Sequence, residues 1–171
     1  QRVFWEANKR KISVVMDADA LNLLTKLKLS SKLPKNLIMT PHPGEASRLL
    51  GKSIDEIESN RFEAVSLLQK KFNCVVVLKG SGSLVCYSKG GKQQIGICEA
   101  GNPGMASGGM GDILTGIIAG FLAQGLSLIE AAELGVDIHA KAADLKSLDT
   151  GEAGLLASDV LEELRQLLKY E

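Results

Sequence analysis

The run Gly101-Asn102-Pro103-Gly104-Met105-Ala106-Ser107-Gly108-Gly109-Met110-Gly111-Asp112 opens directly into an apolar segment, about Asp112 to Ala123, that reads as a helix. Glycine lets backbone approach a ligand closely and take positive φ. A helix amino terminus adds unpaired N–H groups and a partial positive charge. Together they suit an anion, in particular a phosphoryl group in transit. Asp112, in the first turn, stands where it could take a proton from an attacking hydroxyl. The plainer alternative is a capped turn in which Asp112 only answers the helix dipole.

Three further stretches carry residues of the right type. Lys79-Gly80-Ser81-Gly82-Ser83 follows an apolar run; Lys79 could neutralise phosphate while Gly80 and Gly82 expose amides, though a surface turn reads equally simply. In Thr40-Pro41-His42-Pro43-Gly44-Glu45 two prolines stiffen the turn and fix where His42 points. His42 could hydrogen-bond a substrate, and Glu45 could orient it or help hold Mg²⁺ through water. The alternative is a stiffened helix start with Glu45 as a dipole-favouring charge. Asp17, Asp19 and Asn22 end another apolar run in the same way. His139 lies mid-helix and reads as a packing or surface histidine.

The elements that must position these residues follow from periodicity. Strands are expected over Ile12–Met16, Asn36–Thr40, Cys74–Leu78, Ser83–Tyr87 and Gln93–Cys98, with a hairpin at Lys89-Gly90-Gly91-Lys92. Helices are expected over Asp19–Lys28, Gly44–Leu50 (Pro43 in its first turn, Gly51 as its stop), from a Ser53 cap through Phe72, from Ser127 to about Leu148, and from a Ser158 cap over Asp159–Lys169. Strands alternating with helices imply an α/β fold, a mostly parallel sheet covered on both faces, with residues 74–98 as a local antiparallel insert. In such sheets ligands gather beyond the carboxyl ends of the strands, where all four stretches fall.

The whole chain narrows the function classes. Its 171 residues suffice for one domain, and Lys+Arg and Asp+Glu both number 20, so no net charge recommends nucleic acid or an anionic membrane as partner. Aromatics at 4% argue against a base-stacking surface. Cys74, Cys86 and Cys98 are widely spaced without a Cys/His cluster, which reads as reduced thiols in a cytoplasmic protein and no zinc site. No window reaches the length of a membrane span. Gln1 to Lys11 is polar and basic rather than a signal peptide, and the absence of an initiator Met just before a strand leads us to expect a segment of something longer.

In their order, Met16-Asp17-Ala18-Asp19-Ala20-Leu21-Asn22, Thr40 to Glu45, Lys79 to Ser83 and Gly101 to Asp112 resemble the successive signatures of NAD(P)H-hydrate dehydratases, enzymes of ribokinase-like α/β fold. The Asn-Pro-Gly-Met start of the glycine-rich stretch is similar to the bacterial, ADP-preferring branch. The resemblance implies repair of hydrated NADH or NADPH by phosphorylation of the C6 hydroxyl and elimination of phosphate, with ADP or ATP as donor and Mg²⁺ on its phosphates. It implies Asp112 as the base and Gly108, Gly109, Met110 and Gly111 as the anion hole. Lys79 to Ser83 and Gly111 would hold the nucleotide. His42, Asp112, Asp19, Asn22 and Glu45 would meet the hydrated cofactor, with no metal bound by protein ligands alone.

Domains of that family are longer, so residues 1–171 are expected to be an amino-terminally incomplete domain whose missing strands come from another chain or fragment. A homo-oligomer, a tetramer among the options, is expected. The competing readings are a vitamin-precursor or sugar kinase of the same fold and a non-catalytic nucleotide-binding module.

Overall fold

The order of strands across the sheet is their order along the chain. A computed structural model of the chain describes residues 2–27 and 33–169. In it β1 (Val14–Met16), β2 (Leu37–Met39), β3 (Val75–Leu78), β4 (Ser83–Lys89) and β5 (Lys92–Cys98) form one sheet. β1–β2 and β2–β3 pair in parallel, β3–β4 and β4–β5 antiparallel, so β4 alone runs against the rest. Gly90 and Gly91, at φ 60° and 78°, make the expected hairpin turn, which needs left-handed backbone at both positions. The antiparallel region is therefore not a separate insert. It widens the same sheet, and Gln93 ties it to the helix behind by donating to Ser66 O (3.0 Å) and Gln69 Oε1 (2.6 Å).

The helices are α1 (Arg2–Arg10), α2 (Ala18–Leu27), α3 (Pro43–Leu50), α4 (Ile54–Ser59), α5 (Arg61–Phe72), α6 (Met110–Ala123), α7 (Leu128–Thr150) and α8 (Ala157–Leu167). Successive strand residues point to opposite faces, and both faces are apolar. Leu37, Met39, Val76, Leu78, Leu84 and Cys86 pack with α2 to α5. Ile38, Val75, Val77 and Val85 pack with α6, α7 and α8. This is the doubly covered α/β layering expected from alternation.

Several boundaries differ from expectation for local reasons. Residues 2–10 form a helix where none was expected; Phe4 packs against the core and Ala7 is buried, while Val3 and Trp5 stay exposed. β1 begins at Val14 rather than Ile12, and Lys28 lies outside the described residues. The stretch from Ser53 to Phe72 is two helices. Asn60 breaks it with non-helical backbone (φ −146°, ψ 75°) and starts the second by accepting the Glu63 N–H at 3.1 Å. Ser158 does not cap α8, because it already lies in the first turn; Asp159 Oδ2 instead accepts the Leu156 N–H at 2.9 Å.

Two core positions lead to predictions. α6 and α7 cross where a Cβ on Gly135 would sit 2.6 Å from Ile118 Cγ1. Gly135→Ala should therefore cost about 1–3 kcal/mol through overpacking, read as a lower urea midpoint with unchanged m. His139, 5% exposed, has no partner for Nε2 among the described residues, and burial pushes its pKa down to about 4. Above its ordinary 6.5 the ring is neutral both folded and unfolded. As pH falls from there toward 4 only the unfolded chain takes the proton, so stability drops, by on the order of 3 kcal/mol in all. A His139→Leu variant should lose that part of the slope; an unchanged slope would exclude His139 as its source. Burial also raises the thiols of Cys74 and Cys86, to about 12 and 11, leaving both poor nucleophiles.

Candidate active site

Because β1, β2 and β3 are parallel neighbours, the residues after each strand meet at one edge of the sheet. Thr40 N donates to Met16 O (3.1 Å) and Lys79 N donates to Pro41 O (2.9 Å), closing the three strand ends together. Asp17 follows β1, Thr40 to His42 follow β2, and Lys79 follows β3.

The Pro-His-Pro-Gly-Glu stretch builds its own rigid start for α3. Pro43 occupies the first helical position, where a missing N–H costs nothing. Glu45 Oε2 accepts the His42 N–H at 2.8 Å, and His42 Nδ1 accepts the Gly44 N–H at 3.0 Å. Gly44 is needed for this fold-back, since a Cβ there would lie 2.8 Å from His42 Cε1. A neutral imidazole that accepts at Nδ1 carries its proton on Nε2. That nitrogen is 3.6 Å from Glu45 Oε1 on a half-exposed ring, so it can also donate outward.

Glu45 is 4% exposed and stands 3.9 Å from Lys79 Nζ. Its carboxylate serves the cap and the lysine. Lys79 Nζ makes its short bond elsewhere, donating to Asp17 Oδ1 at 2.6 Å. Thr115, one turn into α6, donates its hydroxyl to Asp17 Oδ2 at 3.0 Å. A Cβ on Gly111 would lie 3.2 Å from Lys79 Nζ and 3.5 Å from Asp17 Oδ2. The ammonium thus rests against the first turn of α6.

That turn is open. The first hydrogen bond of the α6 ladder runs from Ile113 N to Gly109 O (3.0 Å), which leaves the N–H groups of Met110, Gly111 and Asp112 ahead of it. Gly109 caps the helix at φ 89°, and Met110 buries its side chain in the core, so only its backbone is offered at this turn. The loop before it is held by Asp144 of α7, which accepts from Gly101 N and Asn102 Nδ2, both at 2.8 Å. Gly104 packs against the Glu152 carbonyl, leaving no room for a side chain. Asp112 is exposed and lines a groove of about 330 Å³ between α6 and α8, with Ile113, Ile117, Phe121, Leu161 and Leu164.

Of the residues picked from sequence, the structure gathers His42, Glu45, Lys79 and Gly111, with Gly108, Gly109, Met110 and Asp112 on the adjoining turn. Gly80 to Gly82 form the turn after Lys79, and Ser83, opening β4, donates its Oγ to Gly80 O at 3.2 Å. Arg61 of α5 clamps that turn by donating to the carbonyls of Ser81 and Leu78. Asp19 and Asn22 stand apart from the cluster: Asp19 is exposed in the first turn of α2, and Asn22 Oδ1 accepts from Arg48 Nε at 2.8 Å. Thr115, Arg61 and Asp144 were missed. Thr115 alone left a trace, as a hydroxyl within an apolar helix one turn after Gly111.

The family model described as NAD(P)H-hydrate dehydratase matches residues 1–166. A bifunctional NAD(P)H-hydrate repair enzyme of Coxiella burnetii is 53% identical over 154 residues, covering 90% of this chain and 30% of that protein. An ADP-dependent (S)-NAD(P)H-hydrate dehydratase of Neisseria meningitidis is 43% identical over 158 residues, covering 90% of this chain and 52% of that protein. The crystal structure of an ADP/ATP-dependent NAD(P)H-hydrate dehydratase from Bacillus subtilis, co-crystallised with ATP/Mg²⁺, superposes with a TM-score of 0.79 at 29% identity, covering 91% of this chain and 53% of that one. The chain thus spans about a third of the bifunctional relative and about half of the single-activity one. Its sheet is of ribokinase-like α/β type, and the chain belongs to the NAD(P)H-hydrate dehydratase family.

Proposed function

We propose that this chain carries the phosphoryl-transfer core of an ADP- or ATP-dependent dehydratase that returns (S)-NAD(P)H hydrate to NAD(P)H. The observation that carries this reading is the Lys79 ammonium held against Gly111 at the open amino end of α6, with Asp112 next in the chain. Lys79 has three donors, one spent on Asp17, and can offer another to a phosphate that also meets the α6 amides. The turn from Gly80 to Ser83 borders the rest of the nucleotide. His42 Nε2–H offers a hydrogen bond to the hydrated nicotinamide.

Asp112 takes the proton of the C6 hydroxyl as its oxygen attacks the terminal phosphorus, and the bond from phosphorus to the nucleotide breaks. The ring nitrogen's lone pair then expels phosphate from C6, and loss of the C5 proton restores the dihydropyridine. Asp17 and Glu45 are engaged with Lys79. Mg²⁺ would be held by the nucleotide's phosphates and water, which suits an ion that keeps much of its hydration, and would neutralise the phosphate charge. The same reading takes the enzyme as cytoplasmic and homo-oligomeric, a tetramer among the options; no described helix is long and apolar enough to cross a membrane.

The test is to supply NADHX, Mg²⁺ and either ADP or ATP and to follow the near-ultraviolet absorbance of reduced nicotinamide. A nucleotide-dependent rise with release of phosphate supports the dehydratase and names its donor. A stable phosphorylated product would replace it with a kinase, and nucleotide binding without any product with a binding module.

A further inference from the structure

We infer that Asp17 and Thr115 are positioning residues for this site, holding the Lys79 ammonium against the amino end of α6 so that lysine and helix act as one anion pocket. The inference rests on the phosphate-site reading above. Asp17 joins three elements: it follows β1, accepts from Lys79 beyond β3, and accepts from Thr115 on α6. Its side chain is 10% exposed and that of Lys79 19%, so water competes little for either bond.

Each oxygen of Asp17 has its own donor, Lys79 on Oδ1 at 2.6 Å and Thr115 on Oδ2 at 3.0 Å. The hydroxyl therefore sets the rotation of the carboxylate, and the carboxylate sets where the ammonium stands. Glu45, 3.9 Å from Nζ, is too distant to fix it alone. Gly111 completes the arrangement by its missing side chain, which would otherwise occupy the 3.2 Å approach to Nζ. Thr115 touches no phosphate in this scheme; it acts through Asp17 and Lys79.

Thr115→Val keeps the shape and removes the donor, whereas Thr115→Ser keeps the donor and removes the methyl group. For Thr115→Val in this chain, calorimetry with ADP and Mg²⁺ should show Kd raised about tenfold, the scale of one lost hydrogen bond to a charged group. Turnover of NADHX should fall at least as much while its KM holds. Thr115→Ser should stay within about twofold of the parent on both measures, and all three proteins should melt within a few degrees of one another. Parent-like ADP binding by Thr115→Val would overturn the inference, as would equal loss in the Ser and Val variants, which would make the side chain a packing element. Absence of turnover in the parent protein would instead sink the dehydratase reading and leave the ADP comparison to decide this one.

Discussion

Asp112→Asn should slow dehydration by roughly two to four decades while leaving ADP or ATP affinity close to that of the parent. The amide keeps the size of the side chain and its place in the first turn of α6, so the helix start and the groove it lines are preserved. What is lost is the ability to accept a proton from the C6 hydroxyl. Substrate would still bind and phosphate would still rest on the helix amides, but the nucleophile would have to shed its proton to water. Measured kcat under saturating nucleotide separates the cases. Turnover within threefold of the parent would remove Asp112 as the base and reduce it to a charge that favours the helix dipole.

Gly109→Val should lower kcat by roughly a hundredfold or more, the scale seen when one preorganised donor to a developing oxyanion is lost. Gly109 holds φ 89°, a conformation that a β-branched residue adopts only under strain, and a Cβ there would press to 3.2 Å from Ala157 Cβ on α8. The first turn of α6 would have to rotate or shift, carrying the Met110 and Gly111 amides away from the phosphate. Far-ultraviolet circular dichroism must show the variant folded for the result to count. A folded Gly109→Val protein with undiminished kcat would mean that the anion is not bound at this turn.

Local signals were readable where a motif completes itself within a few residues. Pro43 at the start of α3, Gly51 beyond its end at φ 71°, and the Gly90–Gly91 turn are all set by backbone preferences of adjacent residues. The glycine-rich run before an apolar segment was readable for the same reason, and the alternation of Val75, Val76, Val77 and Leu78 between two cores was implied by a continuous apolar strand. What stayed hidden depends on distance along the chain. Lys79 reads as a cation free for phosphate, yet its counter-ion is 62 residues away at Asp17. Asp144 reaches the loop from 42 and 43 residues downstream with nothing in the helical pattern of α7 to mark it. Arg61 looks like any charge at a helix start until the fold brings it beneath Ser81. Asn60 interrupts an acidic stretch that otherwise favours helix, and its effect lies in two side-chain bonds with Glu63.

The sheet is assembled from neighbours in sequence, so each strand finds its partner across a connection that closes locally. The bond between Asp17 and Thr115 is of the opposite kind, joining residues 98 apart. It requires β1 and α6 to be brought together, against the loop entropy of the intervening chain. The sheet pairings do not include this contact, so a lesion that loosens only the hold of α6 on β1 would spare the sheet and spoil the proposed anion pocket.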